Sequence, residues 1–418
     1  MPFQTIQNQQ EAYDVLASMW GHYWDNKREA FHSDIACKGV NSGIFDCWSM
    51  GVVVHALGDC CKIYKSFSEP MVEKAIKSSL RYRNPHIGGY SVYYHGGYNS
   101  GDGDICLDDC GHLTRGFIAC YEATGEKSYL KLAKELMAFM MTGVVTHKVY
   151  GYKGLKWHYS KSYMSSISNC VAATAALKLI DYSEDFEKKQ LVQFAEICLS
   201  FLWHHMRDKS DNLIRDGIGM NSTTMDTHKY SYNSGNTLTA LCLMYKYTGH
   251  NNWSNKAHLL AEAILDRNRE LFDQDYEDTE KRYLKDSSFF NQLWIEGVAD
   301  YYEIMGTEIT PEFKKEIQLE VIRHLEYFRK YCYDYKDGLY FMTFCANKLD
   351  YPRYEEYIKH FGRVKKFEPD EDDRVRDFSR PIESRLLCKS LIGAASASRI
   401  FFHSSRIVQG FKDPDDDD

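Results

Sequence analysis

The stretch DICLDDCGHLTRGFIACYEATGEKSYLKLAKELM, residues 104–137, encodes most of a helical hairpin. Gly111–Thr124 is predominantly apolar, so this helix belongs inside a core. Ala-Thr-Gly (123–125) stops it, because glycine readily takes the left-handed conformation that closes a helix end. In Ser128–Thr142 apolar residues recur every three or four positions, the pattern of a helix with one buried face. The unit is therefore an inner helix, a tight turn and an outer helix. At its opening stand two adjacent carboxylates, Asp108 and Asp109.

The same alternation recurs along the chain. Glu11–Phe31, Cys47–Lys65 and Glu69–Arg83 precede the hairpin. Ser165–Tyr182 with Asp185–His205, Gly235–Thr248 with Ser254–Leu271, and Phe290–Met305 with Pro311–Tyr331 follow it, and Pro381–Phe402 closes the series. Gly111–Thr124, Ser165–Tyr182, Gly235–Thr248, Phe290–Met305 and Pro381–Phe402 read as inner. The turn at 123–129 is echoed by Tyr-Thr-Gly-His-Asn-Asn-Trp (247–253) and by Met-Gly-Thr (305–307). A repeat of roughly 50–60 residues built from helical pairs predicts an all-α fold, an (α/α)6 barrel of six helical hairpins. An open solenoid would need polar capping repeats, and the apolar final helix argues against it. This reading makes residues 1–405 one domain. It has a long loop insertion around 332–380, with a short strand at 338–344 and a charged lid or mobile stretch at 355–378. An acidic, disordered tail at 406–418 completes the chain.

Composition narrows the function. The 418 residues carry a net charge of −8 and no basic stripe, which argues against nucleic acid as a partner. The N-terminal segment lacks a cationic and an apolar leader region, and no apolar run is long enough to span a bilayer. A cytoplasmic protein without membrane contact is expected, or a secreted one if a leader has been trimmed. The 13 cysteines form no C-x-x-C pair and sit mostly among apolar neighbours, the habit of small buried hydrophobes in a reducing compartment. Neither Cys60-Cys61 nor Cys106/Cys110 is spaced like a zinc site, so no metal and no cofactor is expected. The oligomeric state is left open.

The loops within hairpins are short. Those between hairpins (84–110, 143–164, 207–234, 273–289 and 332–380) are long and rich in Gly, Asp, Asn, Tyr and Trp. If all of them lie at one end of a barrel, they build a groove there. Three inner helices then deliver Asp108-Asp109, Asn169, and Tyr232-Asn233 to one rim, with Trp157 and Asp216 in the adjoining loops. Paired carboxylates suit glycoside hydrolysis, where one attacks or stabilises while the other donates a proton to the leaving oxygen. Asn and Tyr suit sugar hydroxyls, and Tyr and Trp rings cover sugar C–H faces. The plainer alternative makes the aspartates dipole partners of a helix N-terminus, and Asn169 and Asn233 ordinary caps.

The ordered set of motifs resembles glycoside hydrolase family 76, the fungal and bacterial α-1,6-mannanases. The matching elements begin with Asp108-Asp109 before Ala123-Thr124-Gly125 and Tyr129-Leu130-Lys131-Leu132-Ala133. They continue with Gly154 and Trp157 before Asn169, then Asp216-Gly217 before Tyr230 to Gly235. The resemblance covers roughly residues 40–305. It implies a retaining glycosidase acting on α-mannosides, with Asp108 as nucleophile and Asp109 as acid/base, their carboxyl groups about 5–5.5 Å apart. It further implies that Trp157, Asn169, Asp216, Tyr232 and Asn233 bind the carbohydrate substrate. The sequence departs from the family after the aspartate pair, where Gly111, His112 and Leu113 replace the usual aromatics. Other readings also remain. An (α/α)6 epimerase or unsaturated uronide hydrolase would depend on His112 and His158. A terpene-type cyclase would need an Asp-Asp-x-x-Asp that is absent here. A non-catalytic member would bind glycan without turnover.

Overall fold

The computed structural model describes residues 3–32, 46–93 and 104–408. Residues 409–418 of the expected acidic tail, and 94–103 of the loop before the aspartate pair, lie outside the described residues. Thirteen α-helices occur among the described residues. They are α1 (Phe3–Tyr23), α2 (Cys47–Cys61), α3 (Lys65–Ser79), α4 (Leu107–Thr124), α5 (Lys127–Met141), α6 (Ser166–Leu179) and α7 (Asp185–Phe201). The series continues with α8 (Ser231–Thr248), α9 (Asn251–Leu265), α10 (Ser288–Ile304), α11 (Pro311–Cys332), α12 (Tyr351–Phe361) and α13 (Leu391–Ile407). None of them is long and apolar enough to cross a membrane. Packing divides the chain into two compact units, one of residues 44–264 and 296–306, the other of residues 1–43, 265–295 and 307–418.

In the unit of residues 44–264 and 296–306 the hairpins run α2/α3, α4/α5, α6/α7 and α8/α9. Nearly every residue of α2 and α6 is buried, and so is most of α4 and α8. α5 buries only Ala133, Leu136, Met137 and Met140, the one-sided stripe of an outer helix. α2 thus joins the inner set. Glycines let it approach α4 backbone to backbone: a Cβ at Gly51 would come within 2.9 Å of the Leu113 nitrogen, and one at Gly58 within 2.8 Å of Ala119 and Cys120 backbone atoms. Gly125 and Gly249 end α4 and α8 at φ 78° and 67°, donating to the carbonyls of Tyr121 and Tyr245. The echoed turn motifs thus share one physical role.

In the other unit the first helix packs on the last. Ser398 donates to the Ala12 carbonyl at 2.8 Å, and Tyr23 to that of Lys389 at 2.7 Å. Four sequence expectations shift. α1 ends at Tyr23 rather than Phe31, because Trp24-Asp25 pairs with Ala30-Phe31 across a tight turn. α13 starts at Leu391, ten residues after Pro381, where Ser390 caps it by accepting the Gly393 N–H. The expected strand at 338–344 is reduced to Leu339–Tyr340, paired with Tyr333–Asp334. The charged stretch begins inside a helix, α12, whose Tyr354, Tyr357 and Phe361 are buried at helical spacing.

Of the described cysteines all are free thiols, and all but the half-buried Cys345 are buried.

Candidate active site

The loops before α4, α6 and α8 join in one hydrogen-bonded layer. Leu107 N–H donates to the Trp157 carbonyl at 2.7 Å, and Tyr159 N–H to that of Ile105 at 2.9 Å. Trp157 N–H reaches the Tyr163 carbonyl at 2.8 Å. Tyr163–Ser165 pairs antiparallel with Gly217–Gly219, which pairs in turn with Met225–Asp226. Backbone pairing across the loops thus fixes where each site side chain starts.

Asp108 and Asp109 lie in the first turn of α4, which begins four residues earlier than its apolar run suggested. Trp157 Nε1 donates to Asp108 Oδ2 at 3.1 Å, while Asp108 Oδ1 is buried without a hydrogen-bond partner among the described residues. Burial pushes the Asp108 carboxyl up to about 7, against the pull of the Trp157 indole and of the backbone N–H groups of Asp108 and Asp109; nearby Asp216 adds to the rise. Asp109 is 7% exposed. Its carboxyl is driven well above the carboxylate range by burial first, then by the charges of Asp108, Asp46 and Asp104. The asymmetry has a plain cause. Asp108 has donors to support a negative charge, whereas Asp109 faces other carboxylates. Asp108 therefore ionises first and Asp109 keeps its proton.

A second carboxylate organises the facing side. Asp216 accepts from Tyr163 Oη at 3.0 Å, Asn233 Nδ2 at 3.3 Å and Tyr232 Oη at 3.4 Å. Burial raises its pKa, and these donors hold the rise in check. Tyr232 and Asn233 sit in the first turn of α8, with Tyr230 at the cap position, so Asn233 is not the ordinary cap of the plainer alternative. Asn169 is not a cap either, since Ser165 fills that role for α6.

Asn169 is fully buried and bonds backbone. Its Oδ1 accepts from Leu155 N at 2.8 Å, and its Nδ2 donates to the Leu155 and Ser165 carbonyls at 2.9 and 2.8 Å. It tethers the loop that carries Trp157. The structure thus brings Asp108 to Trp157, and Asp216 to Tyr232 and Asn233, with Asn169 behind them.

Three contributors escaped the sequence reading. Tyr163 was one tyrosine among many in its loop. Asp46 gave a signal, an acid just before an apolar helix, where it caps α2 by accepting the Ser49 N–H at 2.7 Å. Asp104 binds His158 Nε2 at 3.1 Å. His158 Nδ1 accepts from Ser160 N–H, so both its ring nitrogens are engaged and it is poorly placed to act as an epimerase base. Gly111 does not floor the site. A Cβ there would meet Val171 Cγ2 at 2.5 Å, so the position serves the packing of α4 on α6.

The family model described as glycosyl hydrolase family 76 matches residues 7–343. The meiotically up-regulated gene 191 protein of Schizosaccharomyces pombe is 26% identical over 95% of this chain and 92% of its own. The GH76A α-1,6-mannanase of Salegentibacter sp. HEL1_6 superposes with a TM-score of 0.69 at 14% identity, covering 96% of this chain and 99% of its own. The GH76 α-mannanase BT2949 of Bacteroides thetaiotaomicron does so at 0.71 and 16% identity, covering 96% of both chains. These likenesses bear out the all-α fold of the (α/α)6 class. With more than half its length matched by the family model, the chain belongs to glycosyl hydrolase family 76.

Proposed function

We propose that the protein is a retaining glycoside hydrolase of α-mannosides, acting on α-1,6-linked mannan. The observation that carries this reading is the unequal setting of two adjacent carboxyls in the first turn of α4, Asp108 bonded by the Trp157 N–H and Asp109 set among acidic neighbours. In the first step the Asp108 carboxylate bonds to the anomeric carbon as the Asp109 proton passes to the departing sugar oxygen. Asp108 Oδ1 is the oxygen with no hydrogen bond to give up. In the second step Asp109, now ionised, takes a proton from water, and the oxygen of that water displaces Asp108 from the anomeric carbon. Asp216, Tyr163, Tyr232 and Asn233 present hydrogen-bonding groups to sugar hydroxyls. Trp157 orients Asp108 and offers a ring face, while Asn169 acts as a positioning residue for its loop.

A likeness supports the assignment. A Salegentibacter mannanase variant described as inactive carries asparagine in place of two consecutive aspartates and was solved with α-1,6-mannotriose. The test is release of oligosaccharides from α-1,6-mannan by the wild-type chain, Asp108→Asn and Asp109→Asn. The wild type should release them, and each substitution should lower turnover by at least about a thousandfold. Equal activity in all three would refute the reading.

A further inference from the structure

The loop that carries Trp157 has an unusual charge pattern for an acidic chain. Residues 143–164 hold Lys148, Lys153, Lys156 and Lys161 with no Asp or Glu, and the nearest acids along the chain are Glu135 and Asp181. Elsewhere in the same unit some lysines are paired, Lys62 2.7 Å from Glu122, Lys134 2.9 Å from Glu187 and Lys229 2.7 Å from Asp211, but no other loop there gathers four lysines without an acid.

The loop does meet three carboxylates, and it holds each with a donor other than lysine. Asp104 takes His158, Asp108 takes Trp157 and Asp216 takes Tyr163. The four lysines form no ion pair with a carboxylate among the described residues. Lys148, Lys153 and Lys161 are exposed. Lys161 Nζ lies 4.9 Å from the centroid of the Trp157 ring, the ring whose N–H holds Asp108. Lys156 Nζ lies 4.6 Å from that of Tyr159. Lys156 also donates to the Tyr159 carbonyl, whereas Lys161 stands beside the Trp157 ring with no carboxylate partner among the described residues.

We propose that this loop is a cationic element that selects a phosphate-bearing glycan, with Lys161 beside the Trp157 ring and Lys148 and Lys153 exposed in the antiparallel hairpin of Val144–Thr146 and Lys153–Leu155 that precedes it. The inference rests on the glycosidase reading and adds the charge class of its substrate. A phosphate ester carries nearly two negative charges near neutrality and several acceptor oxygens, which suits several point-like ammonium donors. A neutral mannoside has no use for them.

The experiment measures binding of α-1,6-mannotetraose, with and without a 6-phosphate on its non-reducing mannose, to the full-length Asp108→Asn protein by calorimetry. The phosphorylated probe should bind about tenfold more tightly at about 50 mM NaCl, and the advantage should shrink below about threefold at about 500 mM as salt screens exposed charges. A combined Lys148→Gln, Lys153→Gln, Lys161→Gln variant should abolish the preference while leaving the circular dichroism spectrum unchanged. Equal affinity for the two probes, a preference that survives the lysine substitutions, or no binding of either probe overturns the proposal. Turnover of both probes by the wild-type chain, measured alongside, separates the two readings. Cleavage with equal affinities overturns the cationic element alone. A lysine-dependent preference without cleavage overturns the hydrolase alone.

Discussion

Asp108 and Asp109 are held at a thermodynamic disadvantage. Both carboxyls titrate above the ordinary range, so the folded chain binds more protons than the unfolded chain between about pH 4 and the raised values. Stability therefore falls as pH rises through that window. Asp109→Asn removes one buried acid, so its melting temperature should exceed that of the wild type by a margin that grows from about pH 4 to about pH 8, reaching about 1–3 °C. Thermal scans at several pH values check this, and a margin that shrinks with pH contradicts it. Trp157 provides a sharper probe. Trp157→Phe keeps a ring but removes the N–H that stabilises ionised Asp108. The acidic limb of the kcat/KM profile should then move up by roughly half a pH unit or more, since that limb reports the free enzyme's essential carboxylate. An unmoved limb would separate Trp157 from Asp108 ionisation.

At the scale of elements, Asn169 and Gly58 show how the site is held. Asn169→Ala strips three hydrogen bonds from buried backbone at Leu155 and Ser165. The expected loss is about 2–4 kcal/mol in denaturant unfolding. Catalytic loss should outrun it under conditions where the fold is intact, because the released loop carries Trp157. Gly58→Ala drives a methyl into the α4 backbone and should cost roughly 1–3 kcal/mol.

Elements were legible in sequence where one rule dominated. Continuous apolar runs marked α4, α6 and α8, and the Gly125 and Gly249 turns marked two helix ends. The rule failed where tyrosine supplied the buried face. Tyr357 packs with Phe361 against Tyr327 and Tyr331, and Tyr354 packs against Phe367, yet a stretch so rich in Tyr, Glu and Lys reads as polar loop. Helix starts were misplaced where polar site residues open the helix. Asp108, Asp109, Tyr232 and Asn233 interrupt the apolar pattern because they are polar side chains set in a layer of hydrogen bonds and carboxylates rather than in hydrocarbon core. The residue types at the site were readable. Their partners were not: no spacing announces that Tyr163 reaches Asp216 or that Asn169 holds Leu155, since both pairings depend on strand register.

At the scale of the whole molecule, inner helices do two jobs. Their first turns hold the acids and amides of the site, and their lower turns hold buried polar pairs such as Arg115 with Glu296, both fully buried and 2.5 Å apart. Glu296→Gln leaves the Arg115 charge without its counter-ion and should destabilise the fold by about 3–5 kcal/mol. A net charge of −8 coexists with a lysine-bearing loop beside the site, so the average charge of the chain says little about its substrate. The central claim is that Asp108 attacks and Asp109 donates the proton. Its most direct test is the anomeric configuration of the first product that the wild-type chain releases from α-1,6-mannotetraose, followed by proton NMR before mutarotation. The α-anomer appearing first, and absent with Asp108→Asn, is the predicted result; the β-anomer appearing first contradicts the account.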